Sequence, residues 1–166
     1  MIERRYAAIA PGRTDRCISG TLLRYGDIAV LGDIRERVSK GAIKIWDDRH
    51  GVTMNVQHDR TKLLARTGAG LDLAFGEGGV LFKAVLPKTA LCDEALDMVD
   101  NDLLRGCSVE YEFRSVEWEG NLRIVNDARL HGMALVDTPA FPDSEIRNLP
   151  VPPGTGKADD LLWLWL

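Results

Sequence analysis

The sequence predicts an α+β domain: a small, strongly twisted, mainly antiparallel β-barrel with one principal helix and short peripheral helices. Three observations predict it. Residues 52–58, VTMNVQH, alternate Val52, Met54 and Val56 with Thr53, Asn55 and Gln57, the two-residue period of a strand with one buried face. Residues 62–87 hold three short apolar runs, parted by glycine-rich turns at 68–70 and 76–79 and closed by Pro87. A single stretch, 88–106, has helical spacing, with Leu91, Ala95, Leu96, Val99 and Leu103 forming an apolar stripe of about four turns.

The elements follow in order. RYAAIA (5–10) and CISGTLLRYG (17–26) read as strands broken by Pro-Gly and Ser-Gly. GDIAVLGD (26–33) is a strand or a loop, and IRERVSKGAI (34–43) a short helical turn ending at Gly41. In the principal helix Thr89 is the expected N-cap, Asp93 and Glu94 fall in the first turns, and Gly106 is the stop. Residues 107–127 then read as a hairpin turning at Glu119-Gly120-Asn121, with Val109, Tyr111 and Phe113 facing the core. RLHGMALVDTPAFP (129–142) is a last buried strand. Residues 1–148 form the expected domain, and 149–166 a Pro/Gly linker with the apolar tail LLWLWL.

At 166 residues the chain is long enough to bury a core without metals or disulfides. A net charge of −4 and a pI near 5.4, with acids and bases interspersed, give no basic stripe for nucleic acid. Cys17, Cys92 and Cys107 are odd in number and lack CxxC spacing, which argues against a disulfide framework and a zinc knuckle and suits a reducing cytosol. No apolar run has the length of a signal-peptide core or a membrane helix.

Ser108 follows the helix at the mouth of a strand. If Val109, Tyr111 and Phe113 face inward, Ser108 projects the other way with Glu110 and Glu112. A serine on a rigid strand is a nucleophile only with a base in hydrogen-bond reach, and His58 has the chemistry for that. A third polar group is then needed to hold the imidazole tautomer. Several residues are given no chemical task. Cys107 should point to the core, Asp59 reads as a turn acid, and His50 as solvated. Glu110 and Glu112, a conceivable glycosidase pair, should share a solvated strand face. His50, His58 and His131 lack the spacing of a zinc site.

From about residue 40 to 146 the ordered segments SKGAI, NVQHDRTKLLARTG, GGVLFKAVLPKT, LLRGCSVEYEF and LHGMALVDTPAFPDSEI resemble the tailed-phage prohead serine protease family, which is distantly similar to herpesvirus assemblin. The resemblance implies an assemblin-like fold, with His58 matching the catalytic histidine and Ser108 the nucleophile. The family often carries an acid, and assemblin a histidine, at the position of Gly132, so the chain departs from the pattern there. A strand slip would turn the neighbouring His131 to the wrong face unless a bulge near Gly132 restores it. The third member is then His131, or Asp127 or Asp137, or the triad is degenerate. Backbone N–H groups near Ala140 and Phe141 are the oxyanion candidates by the same analogy.

The resemblance further implies a phage or prophage peptidase of head maturation that needs no cofactor or metal. It would act in the host cytoplasm inside the immature procapsid, on the scaffold protein, the scaffolding segment of the major capsid protein and itself. A homo-oligomer is compatible with it; nucleic-acid and membrane partners are not expected. The alternative is a catalytically inactive module that keeps the protease fold for capsid assembly. In another class altogether, the chain would be an unrelated small β-barrel that binds a partner through its tryptophan tail.

Overall fold

A computed structural model describes residues 16–45, 49–139 and 145–147. The expected strand at 5–10, the oxyanion candidates Ala140 and Phe141, and the 149–166 tail lie outside these residues. The described chain is mostly β, a curled half-barrel sheet with a single helix. The strands are β1 (Cys17–Arg24), β2 (Ile28–Leu31), β3 (Ile34–Val38), β4 (Ile43–Lys44), β5 (Thr53–Val56), β6 (Asp59–Thr67), β7 (Gly70–Phe75) and β8 (Gly79–Val85). Helix α1 (Ala90–Asp100) follows, then β9 (Gly106–Glu119), β10 (Leu122–Val136) and β11 (Glu145–Arg147).

One strand organises the rest. Along one edge of β10 run three short parallel strands in succession: β3 against 122–125, β4 against 128–129 and β5 against 132–135. The antiparallel β9 occupies the other edge for nearly its whole length. From β5 the sheet continues through β6, β7, β8 and β1 to β11, and its curl brings β1 and β11 near β9. The sheet is mixed but mainly antiparallel, its parallel pairings confined to the three on β10 and a short one between β6 and β7.

Apolar alternation on these strands closes a core around Ile18, Leu22, Met54, Phe82, Leu130 and Met133, all buried. The expected helix exists but is shorter. Thr89 Oγ1 accepts from Cys92 N–H as the N-cap, and Ala95, Leu96 and Val99 are buried as read. It ends at Asp100 because Asp102 takes a left-handed φ of 60° and the Leu103 and Leu104 N–H groups both turn back to Met98 O. Leu103 is thereby exposed, and Leu104 takes the buried place. Gly106 is no helix stop. It opens β9, and a Cβ there would lie 2.6 Å from the Pro139 ring, so glycine is kept for close approach.

Two further corrections concern β3 and β10. IRERV is a strand, not a helical turn, because Glu36 and Val38 are both buried against partners far along the chain. The hairpin return and the separately expected last strand are one strand of 15 residues. Gly120, at φ 62°, makes the turn where it was expected. Phe113 is exposed rather than buried, while Val109 and Tyr111 pack against the core.

Candidate active site

The rows across β9, β10 and β5 build the site. Ser108 pairs with Ala134, which pairs in turn with Asn55; two residues along, Glu110 pairs with Gly132, which pairs with Thr53. Partners in register project to one face of a sheet, so Ser108 and Glu110 stand on the same side as Asn55 and Thr53. Cys107 alternates to the other side and is 1% exposed, in the core as expected. A bulge at His131 sets this register, since Tyr111 pairs with Leu130 but Glu110 pairs with Gly132.

His58 arrives from the β5–β6 connection. Val56 and Asp59 pair directly, leaving Gln57 and His58 as a two-residue turn with φ of 53° and 60°. Such a turn normally carries Asn-Gly; two consecutive side-chain-bearing residues in the left-handed region cost about 1–2 kcal/mol each. Strain of this kind concentrates where a side chain must be aimed. The turn is tied down by Gln57 N–H donating to Leu135 O of β10 at 2.9 Å. Asp59 is spent locally, accepting from Thr61 N–H and from the Thr61 hydroxyl at 2.9 and 2.6 Å.

The turn lays the His58 ring over β10 toward β9. His58 Nδ1 lies 2.9 Å from Glu110 Oε1, and the same oxygen accepts from Asn55 Nδ2 at 2.8 Å. The Asn55 side chain is wholly buried, and Glu110 is 15% exposed, not solvated as the sequence suggested. Burial alone would raise the Glu110 carboxyl, but the hydrogen bonds from Asn55 and His58 outweigh it and hold the group below the usual glutamate range.

Ser108 and His58 line one open cavity of about 290 Å³ with Glu110, Val109, Tyr111 and Phe113 among its walls. His58 and Glu110 also border a second hollow of about 310 Å³ with Arg60 and His131, and Arg60 and His131 a third with Thr53 and Asn55. Together they make a continuous groove across β9, β10 and β5. The Ser108 hydroxyl makes no hydrogen bond to the His58 ring among the described residues.

The third-member candidates fall out differently. His131 borders the groove beside His58, but its Nε2 lies 3.3 Å from Glu112 Oε2 and its ring does not hold His58. Asp127 sits five residues along β10 from Gly132, about 17 Å away, with Lys44 at 3.6 Å. Asp137 lies beside the turn, its N–H donating to Gln57 Oε1 at 3.4 Å, but its exposed side chain makes no hydrogen bond to His58 among the described residues. The residue that sequence reasoning missed is Glu110. Nothing local in the sequence marked it, because the pairing of Glu110 with Gly132 depends on the bulge at His131. His50 is exposed and joins no cluster that could hold a metal among the described residues.

A pH test follows from the Glu110 contacts. A carboxyl with a lowered folded value stabilises the fold above its unfolded value, and that contribution is lost as pH falls through the folded one. Glu110→Gln should therefore be less stable than wild type at pH 7, with the gap closing as pH drops below the ordinary glutamate range of about 4.3. Thermal denaturation of both proteins from pH 7 to pH 3 checks it; a gap that widens on acidification contradicts the assignment.

Comparison with curated proteins and with solved structures returned no match. A family model does match residues 4–151, most of the chain and every element of the groove. Matched over most of its length, and with a half-buried serine and a carboxylate-held histidine on one groove, the chain belongs to the Caudovirus prohead serine protease family, the serine peptidases of phage head maturation.

Proposed function

We propose that the chain is an endopeptidase in which Ser108 is the nucleophile and His58 the general base. The Ser108 Oγ proton passes to His58 Nε2 as Oγ bonds to the scissile carbonyl carbon. The proton returns to the leaving amine as the C–N bond breaks, and water hydrolyses the acyl-enzyme by the same route. The substrates are the scaffold protein, the scaffolding segment of the major capsid protein and the protease itself, within the immature procapsid in the host cytoplasm.

One observation carries this reading: Ser108 and His58 line the same cavity, with His58 Nδ1 engaged by a carboxylate. The nitrogen facing away from Glu110 is then the one that accepts a proton. The rival, a protease fold kept as an inactive module, draws on the lack of a hydrogen bond between Ser108 and the ring. A fluorophosphonate probe followed by peptide mapping decides between them. An active enzyme is labelled at Ser108, and His58→Ala loses the label. Wild-type protein left unlabelled at Ser108, or labelled equally well in the His58 variant, overturns the proposal.

A further inference from the structure

We propose that Glu110 is the positioning carboxylate of His58, delivered across β10 from the nucleophile's own strand, and that Gly132 is bare in order to admit it. This rests on the reading of Ser108 and His58 as nucleophile and base. The geometry is specific. Glu110 and Gly132 are cross-strand partners, and a Cβ built on Gly132 would lie 2.7 Å from Glu110 Oε2. The carboxylate thus lies directly over the Gly132 Cα. Thr53 closes the other side, its Oγ1 and backbone O standing 3.1 and 3.2 Å from that same Cβ. Gly132 has no left-handed φ, so its backbone would accept any residue. What glycine supplies here is room.

Once seated, the carboxylate is fixed from two directions. Asn55 donates from beneath, from a side chain with no access to solvent, and His58 from above. An incidental surface ion pair would have neither the buried donor nor the vacated neighbour. Held this way, Oε1 accepts Nδ1–H and leaves Nε2 as the basic nitrogen; Glu110 stays ionised throughout and takes no proton from the serine. The volume the carboxylate fills is reachable from two strands, from 110 with glycine at 132, or from 132 with a small residue at 110.

Moving the acid between the strands provides the test. Probe labelling and steady-state cleavage are measured for wild type, Glu110→Gln, Glu110→Ala, Glu110→Gly, Gly132→Ala and the double variant Glu110→Gly with Gly132→Glu. Glu110→Ala is expected to lose about 10²–10⁴-fold in kcat with KM little changed. Gly132→Ala, whose methyl displaces the carboxylate, should lose at least about tenfold. The double variant should recover at least about tenfold over Glu110→Gly, which a merely structural role would not produce.

His58 tautomers, read by nitrogen NMR above the imidazole titration, give a measure independent of turnover: Nδ1–H in wild type, and mainly Nε2–H in Glu110→Ala. Folded Glu110→Gln and Glu110→Ala proteins within threefold of wild type, or an unchanged tautomer in Glu110→Ala, overturn the proposal. A double variant no better than Glu110→Gly overturns the role given to Gly132. Wild-type protein that shows the Nδ1–H tautomer but no label at Ser108 sinks the peptidase reading instead, so the two failures are distinguishable.

Discussion

Ser108→Ala is expected to lower the rate of peptide cleavage by roughly 10⁴–10⁶-fold, to the level left by substrate binding alone. His58→Ala should fall to a similar level, because a nucleophile without its base and a base without its nucleophile are equally idle. The double variant should be no worse than either single one. This non-additivity separates a working pair from two residues that each matter for the fold, whose effects would add. Ser108 is half-buried at the cavity wall, and its partner across the sheet, Ala134, needs no hydroxyl opposite it, so alanine should leave the melting temperature nearly unchanged. Cys107→Ala provides the contrast. Its thiol lies on the core side of β9, so its loss costs stability before it costs turnover. Single-turnover cleavage of a peptide from the capsid protein's scaffolding segment checks all four. A Ser108→Ala enzyme within tenfold of wild type, or a larger kinetic loss at Cys107, would remove Ser108 from the mechanism.

The largest stability effect should come from Glu36→Ala. Glu36 is 2% exposed and receives Arg123 Nε at 2.6 Å and the Tyr111 hydroxyl. Tyr111 is pushed well above its ordinary value, first by burial and then by Glu36, so it stays a hydrogen-bond donor at any physiological pH. Arg123 in turn lies over the Phe113 ring, 4.5 Å from its centroid, and Phe113 meets Tyr111 edge-on at 5.4 Å. Removing the carboxylate strands a guanidinium and a phenol together, which costs about 3–5 kcal/mol. Glu36→Gln keeps an acceptor and should cost less. Urea denaturation at pH 7 measures both, and a Glu36→Ala loss under about 1 kcal/mol would contradict the picture. Because Tyr111, Phe113 and Arg123 also wall the Ser108 cavity, a folded Glu36 variant should show weakened substrate binding as well.

Much of this was legible in the sequence where the signal is local. The β5 alternation, the Thr89 cap, the Gly120 turn and the inward face of α1 follow from spacing within one element. Ser108 and His58 were singled out through ordered motifs spread along the chain, and both line one cavity. What failed was non-local. The segment holding Glu36 read as a helical turn because the arginine that permits its burial in a strand lies 87 residues away. Glu110 looked solvated because its partners are Asn55 and His58 on one side of the sequence and Gly132 on the other. Even the hairpin register misleads. Glu119 pairs with Leu122, so an unbroken ladder would set Glu110 against His131, and only the bulge brings Gly132 there instead. Two-residue periodicity cannot locate that bulge: the sequence raised one near Gly132 only to bring His131 to the His58 face, whereas its effect is to set Gly132 opposite Glu110.

The parallel ladder between β5 and β10 bears on timing. Residues 53–56 pair early with β6, but their other edge is filled only by residues 132–135, and the strand of Ser108 needs the same late segment. During translation the histidine therefore leaves the ribosome long before the strand that seats it. Long-range parallel pairing is slow to form. A growing polypeptide therefore has no assembled groove until synthesis of this domain is nearly finished.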